Sequence, residues 1–213
     1  MARKTTGRPS ANAWQWSRTA ETRRGMLRAA REVFTERGFA DASVADVVER
    51  AGSSVGSLYH HFGGKSELFL ALWEDHQVAY EESATTAVAA ARESGETDPV
   101  ELFIAGAQAF LEGSWERHDL VRLFMDGDGP PGFELMRRTR SREWVRQNAV
   151  LLGAGADPVA RVTVAVLTTI IGEAGREIAA CETKEEADTV AAAAIRLIRR
   201  LDPLTAADDP APS

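Results

Sequence analysis

Ser43–Lys65, SVADVVERAGSSVGSLYHHFGGK, is the stretch that decides how this chain folds. Ser43 is a good N-cap, because its short side chain can accept a hydrogen bond from a backbone N–H one turn on. Behind it Val44, Val47, Val48 and Ala51 recur at helical spacing. Gly52 supplies the positive φ that ends a helix at low steric cost. Ser54 is placed to cap a second short helix, in which Leu58 and Phe62 lie four apart and can face the first. That leaves Val55, Gly56, Ser57, Tyr59 and His60 facing outward. Two short helices joined by a glycine turn, the second too polar on one face to be core, form the layout of a helix-turn-helix that reads DNA.

The flanks extend the pattern. ARKTTGRPS at the start is a basic arm, and RTAETRRGMLRAAREVFTERGF is an amphipathic helix ending at Gly38. The order is a long first helix, a Gly-Phe break, a Ser-capped helix, an AG turn, a GSLYHHF helix, then K-x-E-L into a fourth helix. Over roughly the first third of the chain this resembles the DNA-binding domain of the tetracycline-repressor (TetR) family of transcriptional regulators. The resemblance implies that Ser57, Tyr59 and His60 contact phosphates or base edges, and that Gly56 lets the backbones approach closely. It also implies phosphate anchors at Lys65 and the Ser43 hydroxyl. Arg3, Lys4 and Arg8 of the arm then lie along the minor groove or the backbone. Ser54 and Val55 complete the expected DNA-facing set. Two positions depart from the family pattern: Ser53 stands where an aliphatic residue is often buried, and Val55 where a basic residue is frequent. Val55 offers an apolar group to a thymine methyl in place of a phosphate contact.

His60 and His61 make a poor metal pair, since adjacent helical residues point about 100° apart. No Asp, Glu or Cys joins them at ligand spacing, so no metal and no cofactor is expected, and His61 reads as a packed histidine on the inner side.

Among 213 residues, 44% hydrophobic and 27% charged content is ordinary for a soluble globular protein. One cysteine, Cys181, excludes an internal disulfide framework and suits a reducing, cytoplasmic setting. No uninterrupted apolar run approaches membrane-spanning length, and the N-terminus is basic and polar rather than signal-like. Lys4, Lys65 and Lys184 are the lysines among 25 basic residues, which with abundant Ala and Gly suggests a bacterial, GC-rich genome. The net charge of −7 divides unevenly: residues 1–74 hold 11 basic and 8 acidic residues (+3), and residues 75–213 hold 14 and 24 (−10). A basic head can collect phosphates while an acidic remainder repels DNA, although solubility alone accounts for such asymmetry equally well.

The pattern is helical throughout, so the expected fold is all-α with about nine helices. The expected division is a flexible arm at 1–18, a helix-turn-helix domain at 19–64, a helical effector-binding and dimerisation domain at 65–201, and a disordered tail at 202–213. Asp98-Pro99 and Asp157-Pro158 each place a cap before a proline at the first helical position. Thr183 with Glu186 makes a capping box. In the eighth helix Val159, Val162, Val166 and Ile170 form a stripe, and in the ninth Ala187, Ala191, Ala194 and Ile198 do. The resemblance implies that these pair with a second copy in a four-helix dimer interface; burial inside the protomer is the competing reading. A candidate effector pocket combines Phe103, Phe110, Phe124, Met136, Arg140, Trp144 and Gln147. Arg140, between apolar neighbours, needs a partner: an internal carboxylate (Asp126, Asp128 or Glu134), or the anionic head of a ligand. His76 and Glu173 are equally ambiguous, and RRTRSR at 137–142 reads as a solvated face.

The function implied by the resemblance is a homodimeric regulator, a repressor by family habit, released from a palindromic double-stranded operator by a small-molecule effector. The alternatives are a DNA-binding module without effector, or an all-helical enzyme. An enzyme needs a nucleophile–base or paired-carboxylate constellation, and the sequence offers none.

Overall fold

The computed structural model describes residues 11–125 and 128–201, with side chains from residue 19 onward, and the described residues are all-helical. They form nine helices: α1 (Ala11–Asp41), α2 (Val44–Arg50), α3 (Val55–Phe62), α4 (Lys65–Glu93), α5 (Pro99–Glu116), α6 (His118–Met125), α7 (Phe133–Leu151), α8 (Pro158–Ala180) and α9 (Lys184–Leu201). The described residues divide into two compact units, with the boundary between residues 73 and 74 inside the α4 span.

In the first unit, Met26, Ala30, Val33 and Phe34 bury one face of α1 at helical spacing. Gly38 (φ 75°) breaks the helical run inside the α1 span, where the sequence places the break. It turns Phe39 back onto Phe34 and Phe69, with ring centroids 6.1 and 5.1 Å apart. Val47 and Val48 of α2, Leu58 of α3, and Leu68, Phe69, Leu72 and Trp73 of α4 complete this core. The unit therefore runs to residue 73 rather than stopping at residue 64, because the first turns of α4 belong to its packing. At the other end the described part of α1 begins at Ala11, before Thr19. The expected arm is shortened accordingly, and its Arg3, Lys4 and Arg8 lie outside the described residues, as does the expected tail at 202–213.

The second unit is organised around α5, α8 and α9. Phe103, Ala107 and Leu111 of α5 meet Val164, Leu167, Ile171 and Ile178 of α8, and Ala187, Ala194, Ile195 and Ile198 of α9. Each fully buried large side chain in this layer contributes about 1.5–3 kcal/mol. The caps read from sequence are formed: Val100 N–H donates to Asp98 (2.9 Å), Ala160 N–H to Asp157 (2.9 Å), and Glu186 N–H to Thr183 Oγ1 (3.2 Å). By length and composition α8 could cross a membrane. Arg161, Glu173 and Arg176 interrupt its outer side, and its inner side is core.

Two expectations for this unit are corrected. On α9, Ala187, Ala194 and Ile198 face inward onto α5 and α8, and Ala191 packs against the same cluster. They are core, not an outward stripe; the outward apolar residues of α9 are Leu197 and Leu201. On α7 the inner side holds Phe133, Trp144 and Val145, so Met136 and Gln147 lie on the exposed side. On α8 the expected stripe is exposed in the protomer: Val159 75%, Val162 62% and Val166 44%, with Ile170 half-buried.

Candidate nucleic-acid interface

The start of α2 is held by a capping box. Asp46 N–H donates to Ser43 Oγ (3.1 Å), while the Ser43 amide and hydroxyl both donate to Asp46 Oδ2 (2.9 and 2.6 Å). The Ser43 hydroxyl bond, then the Ser43 amide and Arg37, hold the Asp46 carboxyl below the ordinary aspartate range. Arg37 lies 2.8 Å from Asp46, and Arg50 pairs with Glu36 and Glu32 of α1, so ion pairs fasten α2 to α1. The Ser43 hydroxyl proton is thus committed to Asp46, and a phosphate contact from it requires that bond to break.

The turn closes through main chain alone. Gly52 N–H donates to Glu49 O (3.2 Å) and Ser53 N–H to Val48 O (2.9 Å), with Gly52 at φ 58°. Ser53 therefore serves the turn without an aliphatic side chain. Ser57 N–H donates to Ser54 Oγ (3.2 Å) at the start of α3, and left-handed Gly63 (φ 95°) ends it. Between these ends Leu58 is fully buried, and Phe62 is half-buried beneath the Arg23 guanidinium, 5.2 Å from the ring centre.

This leaves a fixed outward face. Val55 is 46% and Tyr59 54% exposed, and Gly56 and His60 are exposed beside them. A Cβ added at Gly56 meets nothing within 4 Å, so the protomer itself leaves that surface open. Ser57 is half-buried at the edge, and His61 lies partly inside, its ring edge-on to His60 (5.4 Å). The geometry thus gathers Ser54, Val55, Gly56, Ser57, Tyr59 and His60 on one short, capped helix.

Lys65 does something else. Its ammonium donates to the carbonyls of Phe39 (2.7 Å), Ala40 (3.1 Å) and Ala42 (2.9 Å), and lies 4.5 Å from the centre of the Phe39 ring. All three protons are spent within the protein, so a phosphate contact from Lys65 requires one of these bonds to break. Sequence patterns miss this because the partners are main-chain atoms more than twenty positions away.

The family model "Bacterial regulatory proteins, tetR family" matches residues 26–72, from the buried face of α1 through the first turns of α4. This part of the chain is similar to that family. Among relatives, the transcriptional repressor AcnR of Corynebacterium efficiens is 45% identical over 51 residues, covering 24% of this chain and 27% of AcnR. The transcriptional activator FasR of Mycolicibacterium smegmatis is 46% identical over 57 residues, covering 26% of each. The chain thus matches about a quarter of the length of these relatives. A TetR-like transcriptional regulator from Rhodococcus sp. RHA1 shares the fold over 88% of this chain and 97% of its own, at TM-score 0.67 and 21% identity.

In the body, three of the seven expected pocket residues, Phe110, Phe124 and Trp144, line one interior cluster. Phe110 stacks on Tyr80 (4.4 Å) and lies edge-on to Trp144 (6.2 Å), while His76 bridges Tyr80 (4.5 Å) and Phe124 (5.3 Å). Ser114 donates to Phe110 O (2.9 Å), which leaves its oxygen to accept from the Tyr80 hydroxyl (3.1 Å). Burial pushes the Tyr80 phenol up to about 12. Arg140 lies 3.1 Å from Glu81 and 3.2 Å from Glu143, with a buried Nε that has no hydrogen-bond partner. Its carboxylates are therefore internal but differ from those expected: Glu134 pairs with Arg137 and Arg138, and Asp126 lies outside the described residues. Phe103 belongs instead to the core between α5, α8 and α9. A separate open groove of about 200 Å³ runs beside Trp115, Ile178 and Asp188.

Proposed function

We propose that the chain is a homodimeric transcriptional regulator that reads a palindromic operator with the outer face of α3 and releases it on binding a small molecule in the body. The observation that carries this reading is a capped recognition helix whose outer residues Val55, Gly56, Tyr59 and His60 are exposed in the protomer, with open space over Gly56. Base edges fit such a face: Val55 suits a thymine methyl, and Tyr59, Ser57 and His60 offer hydrogen bonds. One eight-residue helix reads few base pairs, so two copies on successive half-sites supply the affinity. The Val159, Val162 and Val166 stripe of α8, with Leu197 and Leu201 of α9, supports pairing of two protomers. We assign repression rather than activation by likeness to AcnR; FasR carries a similar domain as an activator, so the position of the operator relative to a promoter sets the sign. A reducing cytoplasm suits this role. Effector control takes the form of a population shift, in which the ligand favours a body conformation whose two heads no longer match successive major grooves.

A second reading, an effector-independent DNA-binding module, is favoured by the close ring contacts among Tyr80, Phe110 and His76, which fill the interior cluster. Selection of duplexes from a randomised library by the full-length protein tests the main reading. It predicts an inverted repeat whose half-sites are centred about one helical turn or a multiple of it apart. Recovery of no enriched sequence, or of a single unrepeated site, contradicts it. Binding to the selected duplex that no small molecule in a broad panel weakens favours the second reading.

A further inference from the structure

We propose that Lys65 is a positioning residue: a three-proton clip that joins the exit of α3 to the approach to α2 and so fixes the helix-turn-helix from both ends. The acceptors Phe39, Ala40 and Ala42 immediately precede Ser43, the N-cap of α2. Lys65 itself comes just after Gly63, the left-handed C-cap of α3. One ammonium therefore closes the segment of 23 to 26 positions that contains both helices and their turn. The acceptors lie between the Gly38 break and Ser43, where three carbonyl oxygens converge on one cation, whose charge strengthens each bond. Three bonds from one tetrahedral nitrogen match an ammonium. A planar guanidinium spreads its donors in a plane and cannot converge on the same three oxygens from one atom. The Phe39 ring, packed on Phe34 and Phe69, covers the clip and ties it to the core of the unit. Without the clip, α2 keeps its capping box and its ion pairs to α1, but its first turn loses its tether to α4. The α3 face is then presented over a wider range of angles, and DNA must supply the ordering that Lys65 supplied.

The inference rests on the DNA-reading assignment only for its binding readout. Lys65→Met keeps the alkyl stem and removes the protons, and is made in the full-length chain. The probe is the duplex that the wild-type protein selects from a randomised library. The clip predicts an affinity tenfold or more lower, with an unchanged slope of log K against log salt. A slope shallower by about 0.9, the signature of one lost phosphate contact, overturns it. Lys65→Arg keeps the charge: the clip predicts a loss comparable to that of Lys65→Met, and wild-type affinity overturns it. Hydrogen exchange needs no DNA. In either variant the amides of Val47 and Val48 should lose tenfold or more protection while those of Leu167 and Ile198 in the body do not change; unaltered protection in α2 overturns the clip. If Lys65→Met fails to fold its head, Lys65→Arg carries both readouts. If no duplex is selected, the DNA reading fails and exchange alone decides the clip.

Discussion

Gly175→Ala sets two physical effects against each other within one helix. Gly175 is buried on α8, and a Cβ there falls 2.9 Å from Phe110 Cε1 and 2.9 Å from Ser114 Oγ. Comfortable contacts begin near 3.5 Å, so each neighbour must retreat by more than half an ångström. Neither is free to do so. The Phe110 ring stacks on Tyr80 at 4.4 Å, and Ser114 Oγ holds both Phe110 O and the Tyr80 hydroxyl. Overpacking of this kind costs about 1–3 kcal/mol, while replacing a helical glycine by alanine returns about 1 kcal/mol. The net is a loss of about 0–2 kcal/mol, so Tm falls by up to about 8 °C for a chain of this size. Gly172→Ala on the same helix is the internal control. Nothing lies within 4 Å of the added Cβ in the protomer, so the propensity gain of about 0.5–1 kcal/mol stands alone and Tm rises. Thermal unfolding followed by circular dichroism measures both. A Gly175→Ala protein stabilised as much as Gly172→Ala refutes the claim that Phe110, Ser114 and Tyr80 are locked together.

Other consequences concern the second unit. Val162→Glu with Val166→Glu should convert the dimer to monomer at about 1 μM in light scattering, since the pair places four charges in an interface where each buried valine is worth on the order of 1.5 kcal/mol; a persistent dimer rejects α8 as its centre. The raised Tyr80 value means that stability contributed by its neutral phenol is fully present below pH 10 and is lost as pH rises through about 12. Absorbance at 295 nm should therefore show one of the two tyrosines ionising late, and Tyr80→Phe should remove that late step. Arg140→Met should lower Tm because it leaves Glu81 and Glu143 facing each other, and the added change Glu81→Gln should recover part of the loss; no recovery means that the two carboxylates do not share the guanidinium.

The parts of the fold legible in the sequence were those written in local chemistry. Ser43 with Asp46, Ser54, Asp98-Pro99, Asp157-Pro158 and Thr183 with Glu186 bond within a few positions of themselves, so spacing alone reveals them. Gly38 and Gly52 mark breaks for the same reason. The outward set Val55, Gly56, Tyr59 and His60 followed once Leu58 was assigned inward. What stayed hidden was long-range or degenerate. Lys65 finds carbonyls across the whole helix-turn-helix, and Arg140 finds Glu81 on another helix. On α9, alanines occupy both sides, so apolar spacing admits two rotations; the larger Ile195 and Ile198 fill the core and settle which side turns inward. On α7, Met136 and Gln147 fit a helical stripe but are displaced by the bulkier Phe133, Trp144 and Val145, which claim the interior.

The central claim is that the exposed face of α3 reads DNA. Its most direct test is a fluorescence-anisotropy titration of the library-selected duplex with wild type and with the Tyr59→Ala, His60→Ala double variant. Both side chains are exposed and contribute little to the core, so the variant should unfold at the wild-type temperature. At the scale of about 1–3 kcal/mol per good base contact, its affinity should fall at least tenfold. An equally stable variant that binds the duplex as tightly as wild type would contradict the account.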